Sequence, residues 1–340
     1  MAKLRENEIP IFFATDDNYA PFLTVCLKSL LDNASKDYFY KIYVLTTNLS
    51  VQLQGRIKQV LTPNSTIEFI SLKNELDKIS DLFHLRDYYS KETYYRFFIP
   101  DLFPDYDKVL YLDCDTIILG DISELYNENI KDYFVAAAQE EVMQTVPLFG
   151  EYTRKVLGVP TEQYFNAGVL LINNKRFLKF KIAEKFVELS KQYVFRVTQD
   201  EDYLNVLCKK RVKIVDLGWN KTAYKNPAFD DKNLKLVHYK INWKPWHYKD
   251  TLYEEYFWEY AKKTDFYEQI LKMRDEYGQE KKERDKMQYE RLCKMAEEDS
   301  NDPNNYNNTV VAFEKQKAKG LVRINYLQLL KKLIGLKERN

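Results

Sequence analysis

Four short apolar runs, at residues 9–14, 41–45, 67–70 and 109–112, have the length and composition of buried β-strands. The segments between them carry helical periodicity instead. Residues 19–31 place Leu23, Leu27, Leu30 and Leu31 on one face, and a second helix is expected over about 50–61. Residues 92–98 also read as helical, ended by Pro100. This β-α-β-α-β succession predicts an α/β fold, a Rossmann-like and mostly parallel sheet flanked by helices. Ligands of such sheets bind beyond the carboxyl ends of the strands. Thr15-Asp16-Asp17-Asn18 and Asp113-Cys114-Asp115 both fall at ends of that kind.

Beyond residue 250 the character changes. Residues 254–296 form a highly charged helical stretch with its aromatics early, 297–308 read as a polar linker, and 321–336 resume a helical pattern. The expected division is a ligand-binding domain over 1–250, a charged helical extension over 251–300, and a linker plus basic tail over 301–340.

Composition removes several classes. Lys and Arg total 52 against 51 Asp and Glu, so there is no global pull toward nucleic acid, and no nucleic-acid partner is expected. Cys26, Cys114, Cys208 and Cys293 lack the spacing of a zinc site or a disulfide framework. No run of about 18 apolar residues suits a membrane-spanning helix, and no secretory signal follows Met1, so a cytoplasmic protein is expected. The 9 Gly form neither a GxGxxG nor a Walker loop, so a bound diphosphate would need a cation to meet its charge.

Asp113 and Asp115 could supply that cation's ligands. Residues two apart on an extended backbone share a face, and paired carboxylates suit a hard divalent ion. They could equally be solvated turn aspartates, or the Asp-x-Asp of a phosphatase of the haloacid dehalogenase class. That class normally has Thr or Val where Ile117 stands, and carries the motif on a first strand. His238 closes another apolar run and reads as either a ligand or a satisfied core residue. Lys244 offers a point charge for phosphate in Lys244-Pro245-Trp246-His247, which could also be a surface turn. Gln199-Asp200-Glu201-Asp202 opens a helix; its acids suit either the helix dipole or an oxocarbenium-like sugar.

The order and spacing of these motifs resemble glycosyltransferase family 8, which includes lipopolysaccharide galactosyl- and glucosyltransferases and glycogenin. The resemblance spans about 9–247 and implies a GT-A fold with a helical C-terminal extension. It implies that Ala14 and Thr15 line a uracil, that Asp16 and Asn18 contact the nucleoside, and that Thr93 and Arg96 lie on the segment reaching the donor sugar. Asp113, Cys114 and Asp115 look like the metal motif, with His238 as third ligand. Tyr164-Phe165-Asn166-Ala167-Gly168 resembles the Phe-Asn-x-Gly signature, where Asn166 touches the sugar while Ala167 and Gly168 let the backbone approach. Asp200 and Asp202 match the acidic positions of Asp-Gln-Asp, and Lys244 the residue that binds the leaving diphosphate. Asp200, Glu201 and Asn166 are then the candidate catalytic residues. Two departures stand out: Glu201 replaces Gln, and Ile241 replaces a Gly. The implied activity is a retaining transfer of galactose or glucose from a UDP-hexose to a glycan or lipid-linked acceptor. Mn²⁺ is favoured over Mg²⁺ because an imidazole joins the carboxylates. The alternative is a nucleotide-sugar-binding protein of the same fold without turnover.

The tail carries eight Lys/Arg and two Glu over 310–340 beside an apolar stripe, as does an amphipathic helix on an anionic membrane. A helix docked on its own core would look the same. Membrane binding would place the protein at the inner face of the membrane and predicts that full-length protein sediments with anionic liposomes while a truncation at Asp302 does not. Equal pelleting of the two ends that reading.

Overall fold

A computed structural model of the chain describes residues 7–72 and 91–318. His84, the helix expected over 321–336 and most of the basic tail lie outside the described residues. The expected strands form: β1 (Glu8–Ala14), β2 (Phe39–Thr46), β3 (Ser65–Ser71) and β4 (Val109–Leu112). The others are β5 (Thr116–Ile118), β6 (Val135–Ala137), β7 (Val169–Ile172), β8 (Val212–Ile214), β9 (Lys221–Thr222) and β10 (Leu236–His238). Among the described residues, one sheet runs β3-β2-β1-β4-β7-β6-β8 and a smaller one runs β5-β10-β9.

The continuous apolar runs reflect burial of both faces. Phe12, Tyr43, Tyr111 and Leu170 point into one core, while Ile11, Phe13, Ile42, Leu110 and Leu171 point into the other. Pairing is parallel for β3-β2-β1-β4 and for β6-β8, but β7 runs antiparallel to both β4 and β6. That reversal positions the site. The carboxyl end of β4 meets the amino end of β7, and the Asp113 N–H donates to the Gly168 carbonyl at 2.7 Å. In the small sheet His238 pairs with Thr116, and the Tyr239 N–H donates to the Asp115 carbonyl at 2.9 Å. Three chain segments far apart in sequence are thereby pinned within one strand spacing.

Several helical expectations change in detail. The helix expected over about 50–61 is α-helical at Val51–Ile57 and then tightens into a 3₁₀ turn at Lys58–Val60. The segment at 92–98 is a 3₁₀ helix, Lys91–Phe97, and Pro100 does not end it. Pro100 instead sits in the first turn of a short helix, Ile99–Leu102, where a missing N–H costs nothing. Residues 254–296 divide into helices Glu254–Ala261, Tyr267–Asp275 and Gln279–Asn301. Their early aromatics are core: Phe257, Tyr260 and Phe266 pack with Phe22 and Trp246, whose rings stack at 3.9 Å. The linker expected over 297–308 is mostly helix, since Gln279–Asn301 runs through its first part and Tyr306–Ala318 begins within it. Polar residues there cover an exposed helical surface, which composition alone does not distinguish from a loop.

Ile241 adopts φ 57°, the left-handed region that penalises a β-branched side chain. The sequence resemblance expected Gly at this position, and the backbone keeps the path that Gly would take. Such strain costs on the order of 1–3 kcal/mol, more than the ~0.5–1 kcal/mol entropic penalty of a glycine. Ile241→Gly should therefore raise stability by about 1 kcal/mol, a Tm gain of ~1–2 °C for a chain of this length. Ile241→Val, which keeps the branch, should show no gain by thermal denaturation.

Candidate active site

Asp113 and Asp115 leave β4 with their carboxylates on one side, and His238 arrives from the end of β10. One ligand atom from each lies within 4.8 Å of the others. The His238 Nε2 is 3.2 Å from Asp115 Oδ1 and 3.8 Å from Asp113 Oδ2. What faces the carboxylates is settled by a relay of amides behind the ring. Asn166 Oδ1 accepts from the Gly168 N–H and from Asn220 Nδ2, both at 2.8 Å. Asn220 therefore turns its own Oδ1 to His238 Nδ1, 2.9 Å away. An Nδ1–H donated to that oxygen leaves the Nε2 lone pair aimed between the two aspartates, the orientation a metal-binding imidazole needs. Gly168 completes the enclosure, because a Cβ there would stand 2.4 Å from the His238 ring and 2.5 Å from Asp113 Oδ2.

Several other charged groups around the cleft are cross-paired. Arg96 is buried, reaching Asp113 Oδ1 at 3.1 Å, Asp200 Oδ2 at 3.3 Å and the Ala167 carbonyl, with its guanidinium 4.3 Å from the Tyr111 ring centroid. Lys244 Nζ donates to Asp115 Oδ2 at 2.5 Å and to the Tyr239 carbonyl at 2.8 Å. Burial would raise the Asp115 carboxyl, but Lys244 and His238 hold it below the ordinary carboxylate range. Glu140 pairs with Lys240 and accepts from Asn166 Nδ2 at 2.6 Å. Its carboxyl is lowered because Lys240 and these bonds outweigh burial. Among the described residues, no cation is in contact with Glu201. Its Oε2 accepts from the Ala167 N–H at 2.9 Å and lies 3.1 Å from Asn166 Nδ2, and burial with the nearby Glu140 charge pushes its carboxyl well up. Burial also pushes Asp200 up to about 6, Arg96 opposing it.

These groups surround a cleft of about 290 Å³. Ala14, Thr15, Asp16, Asn18, Thr93, Arg96, Cys114, Asn166, Ala167, Asp200, Glu201 and Lys244 all line it with Asp113, Asp115 and His238. Asp202 does not. It is fully buried and its carboxylate accepts from the hydroxyls of Tyr152 and Tyr164, both at 2.8 Å, and from the Thr198 N–H. It anchors the helix Asp200–Leu207 that presents its two neighbours to the cleft. Cys114 acquires a packing role: its thiol donates to the Ala14 carbonyl at 3.3 Å, tying the ends of β1 and β4 together. The sequence reading missed Asn220, Glu140 and Lys240, which carry no local motif, and Tyr289 and Leu292, contributed to the cleft wall by the helix Gln279–Asn301.

The mostly parallel sheet flanked by helices, with Asp-x-Asp at the end of a central strand, is the GT-A fold. Residues 10–250 match the family model described as Glycosyl transferase family 8, and the chain belongs to that family. General stress protein A of Bacillus subtilis (strain 168) is 29% identical over 280 residues, 75% of this chain and 94% of that protein. The lipopolysaccharide 1,3-galactosyltransferase of Salmonella typhimurium (strain LT2) is 34% identical over 175 residues, 46% of this chain and 49% of its own length. The chain thus spans about half of that enzyme. The solved structure of the galactosyltransferase LgtC with donor and acceptor sugar analogs superposes with TM-score 0.61 at 28% identity, covering 76% of this chain and 96% of that one.

The raised Asp200 carboxyl has a consequence for stability. In metal-free protein the folded state holds this proton more tightly than the unfolded chain, so the group's contribution is most favourable at low pH. It is lost as pH rises from the ordinary aspartate range through about 6. Asp200→Asn removes that loss. The variant should gain stability over wild type at pH 7.5, by up to ~3 kcal/mol less the lost Arg96 contact, and the gain should vanish near pH 4. Urea denaturation in EDTA at both pH values measures it; an equal difference at the two would refute the assignment.

Proposed function

We propose that the chain is a retaining, metal-dependent hexosyltransferase that moves galactose or glucose from a UDP-hexose to a glycan acceptor, a cell-surface polysaccharide or lipopolysaccharide. The observation that carries this reading is the meeting of Asp113, Asp115 and His238 between the β1 loop and the Asn166–Gly168 turn. Membership in the family supports it over the phosphatase reading.

The donor set fits a divalent cation. It offers two carboxylates and one oriented imidazole nitrogen, with a glycine leaving the space clear, and that mixture suits Mn²⁺ better than Mg²⁺. When bound, the ion neutralises the diphosphate and lowers the barrier to its departure. On this reading Asp16 and Asn18, after β1, hold the nucleoside, and Lys244 takes the charge of the leaving phosphate. Arg96 holds Asp113 and Asp200 apart, while Asn166 and the Ala167 backbone set the position of Glu201 beside the sugar. The acceptor oxygen forms its bond to the anomeric carbon as the sugar–phosphate bond breaks. Its proton passes to the departing phosphate oxygen, so no separate base is required.

With Mn²⁺ present, UDP release should proceed from UDP-galactose or UDP-glucose and stop in EDTA. Asp113→Asn, Asp115→Asn and His238→Ala should each lower turnover on the order of a hundredfold or more, the several kcal/mol a metal contributes. Each should also weaken Mn²⁺ binding measured directly by electron paramagnetic resonance. Tight UDP and Mn²⁺ binding without release from any UDP-sugar would instead identify a nucleotide-sugar-binding protein.

A further inference from the structure

The helix Gln279–Asn301 lies outside the residues shared with the family model, yet Tyr289 and Leu292 project from it into the cleft wall. Tyr289 is 42% exposed. Asn242 Nδ2 donates to the Asp285 carbonyl of the same helix at 3.1 Å, so the turn after β10 docks about one helical turn from Tyr289. In that turn Trp243 packs against the edge of Tyr224, with ring centroids 5.5 Å apart. Trp243 is 48% exposed, whereas Trp219 and Trp246 are buried. Aromatic rings from the β9 exit, the turn after β10 and the C-terminal helix are thereby gathered beside the cleft that Tyr289 lines. Glu140 and Lys240, charged groups able to meet hydroxyls, line the same cleft.

We propose that Tyr289, Tyr224 and Trp243 form a saccharide platform that receives a hexopyranose ring of the acceptor. The proposal rests on the glycosyltransferase reading of the adjoining cleft. The chemistry of these rings selects this occupant. A pyranose offers an apolar C–H face rimmed by hydroxyls, and an exposed aromatic ring presents a flat, electron-rich surface with, in Tyr and Trp, a polar handle. Tyr289 and Trp243 are exposed and Tyr224 is half-buried, and Tyr289 stands in the wall of the cleft that would hold the donor. Because one of the rings comes from a helix beyond the shared domain, acceptor choice is set partly by the C-terminal region and can differ from that of relatives that keep the same donor site.

The test uses the full chain with Mn²⁺ and UDP-galactose or UDP-glucose, and measures UDP release with and without methyl β-galactoside, methyl β-glucoside, lactose or cellobiose. At least one saccharide should accelerate release. Trp243→Ala and Tyr289→Ala should each raise the KM for that saccharide about tenfold, as loss of one stacking surface implies. The KM for the UDP-sugar should move much less, and Trp243→Tyr and Tyr289→Phe should recover most of the affinity because a flat ring remains. An unchanged saccharide KM in both alanine variants would overturn the platform, as would release that no saccharide accelerates. Absence of any Mn²⁺-dependent release is a different result: it removes the glycosyltransferase reading itself, and the platform with it.

Discussion

Crowding of like charge is the constraint around which the site is built. Asp113, Asp115, Asp200, Glu140 and Glu201 line one cleft, and a carboxylate buried without compensation costs several kcal/mol. The structure assigns partners almost one by one: Arg96 bridges Asp113 and Asp200, Lys244 takes Asp115, and Lys240 takes Glu140. Glu201 is left to the Ala167 N–H and the Asn166 amide, and its carboxyl is correspondingly reluctant to ionise. A protonated carboxyl is nearly isosteric with the glutamine amide that the resemblance expects at this position, and like it is uncharged with a donor on one side and an acceptor on the other. The replacement of Gln by Glu is thus chemically smaller than the change in nominal charge indicates.

This arrangement needs the reversed strand. If β7 ran parallel to β4, Asn166–Gly168 would lie at the far end of the sheet from Asp113. With β7 antiparallel, the turn entering one strand faces the turn leaving the other, and Gly168 lets the two close to a single hydrogen-bond length. The small sheet then delivers His238 from the remaining side. The amide relay through Asn220 and Asn166 makes the orientation of the imidazole depend on the same turn that would contact the sugar.

Much of this was legible in the sequence because burial on both faces makes strands read as unbroken apolar runs. The mostly parallel sheet follows from their alternation with helices, and the positions of Asp113, Asp115 and His238 follow from where the runs end. The direction of β7 was not legible: Val169–Ile172 is as apolar as β4, and strand polarity leaves no local trace. Asn220 and Glu140 were missed for a similar reason, since each acts through a partner at least 18 residues away. Asp202 misled in the opposite sense. Its acidic motif points to the cleft, but an eight-residue helix turns successive side chains apart, and only Asp200 and Glu201 face inward. The polar stretch after residue 296 reads as a loop because an exposed helix and a linker use the same residues.

The pairing of Lys244 with Asp115 bears on how the protein would change on loading its substrates. In the structure described here the lysine is already desolvated and already neutralised, held by the carboxylate that would serve a metal ion. On the proposed reading, arrival of a cation–diphosphate complex hands Asp115 to the cation and Lys244 to the phosphate. Both groups keep an opposite charge throughout, so the site fills by exchange of partners, and neither the empty nor the loaded state has to bury a bare ion.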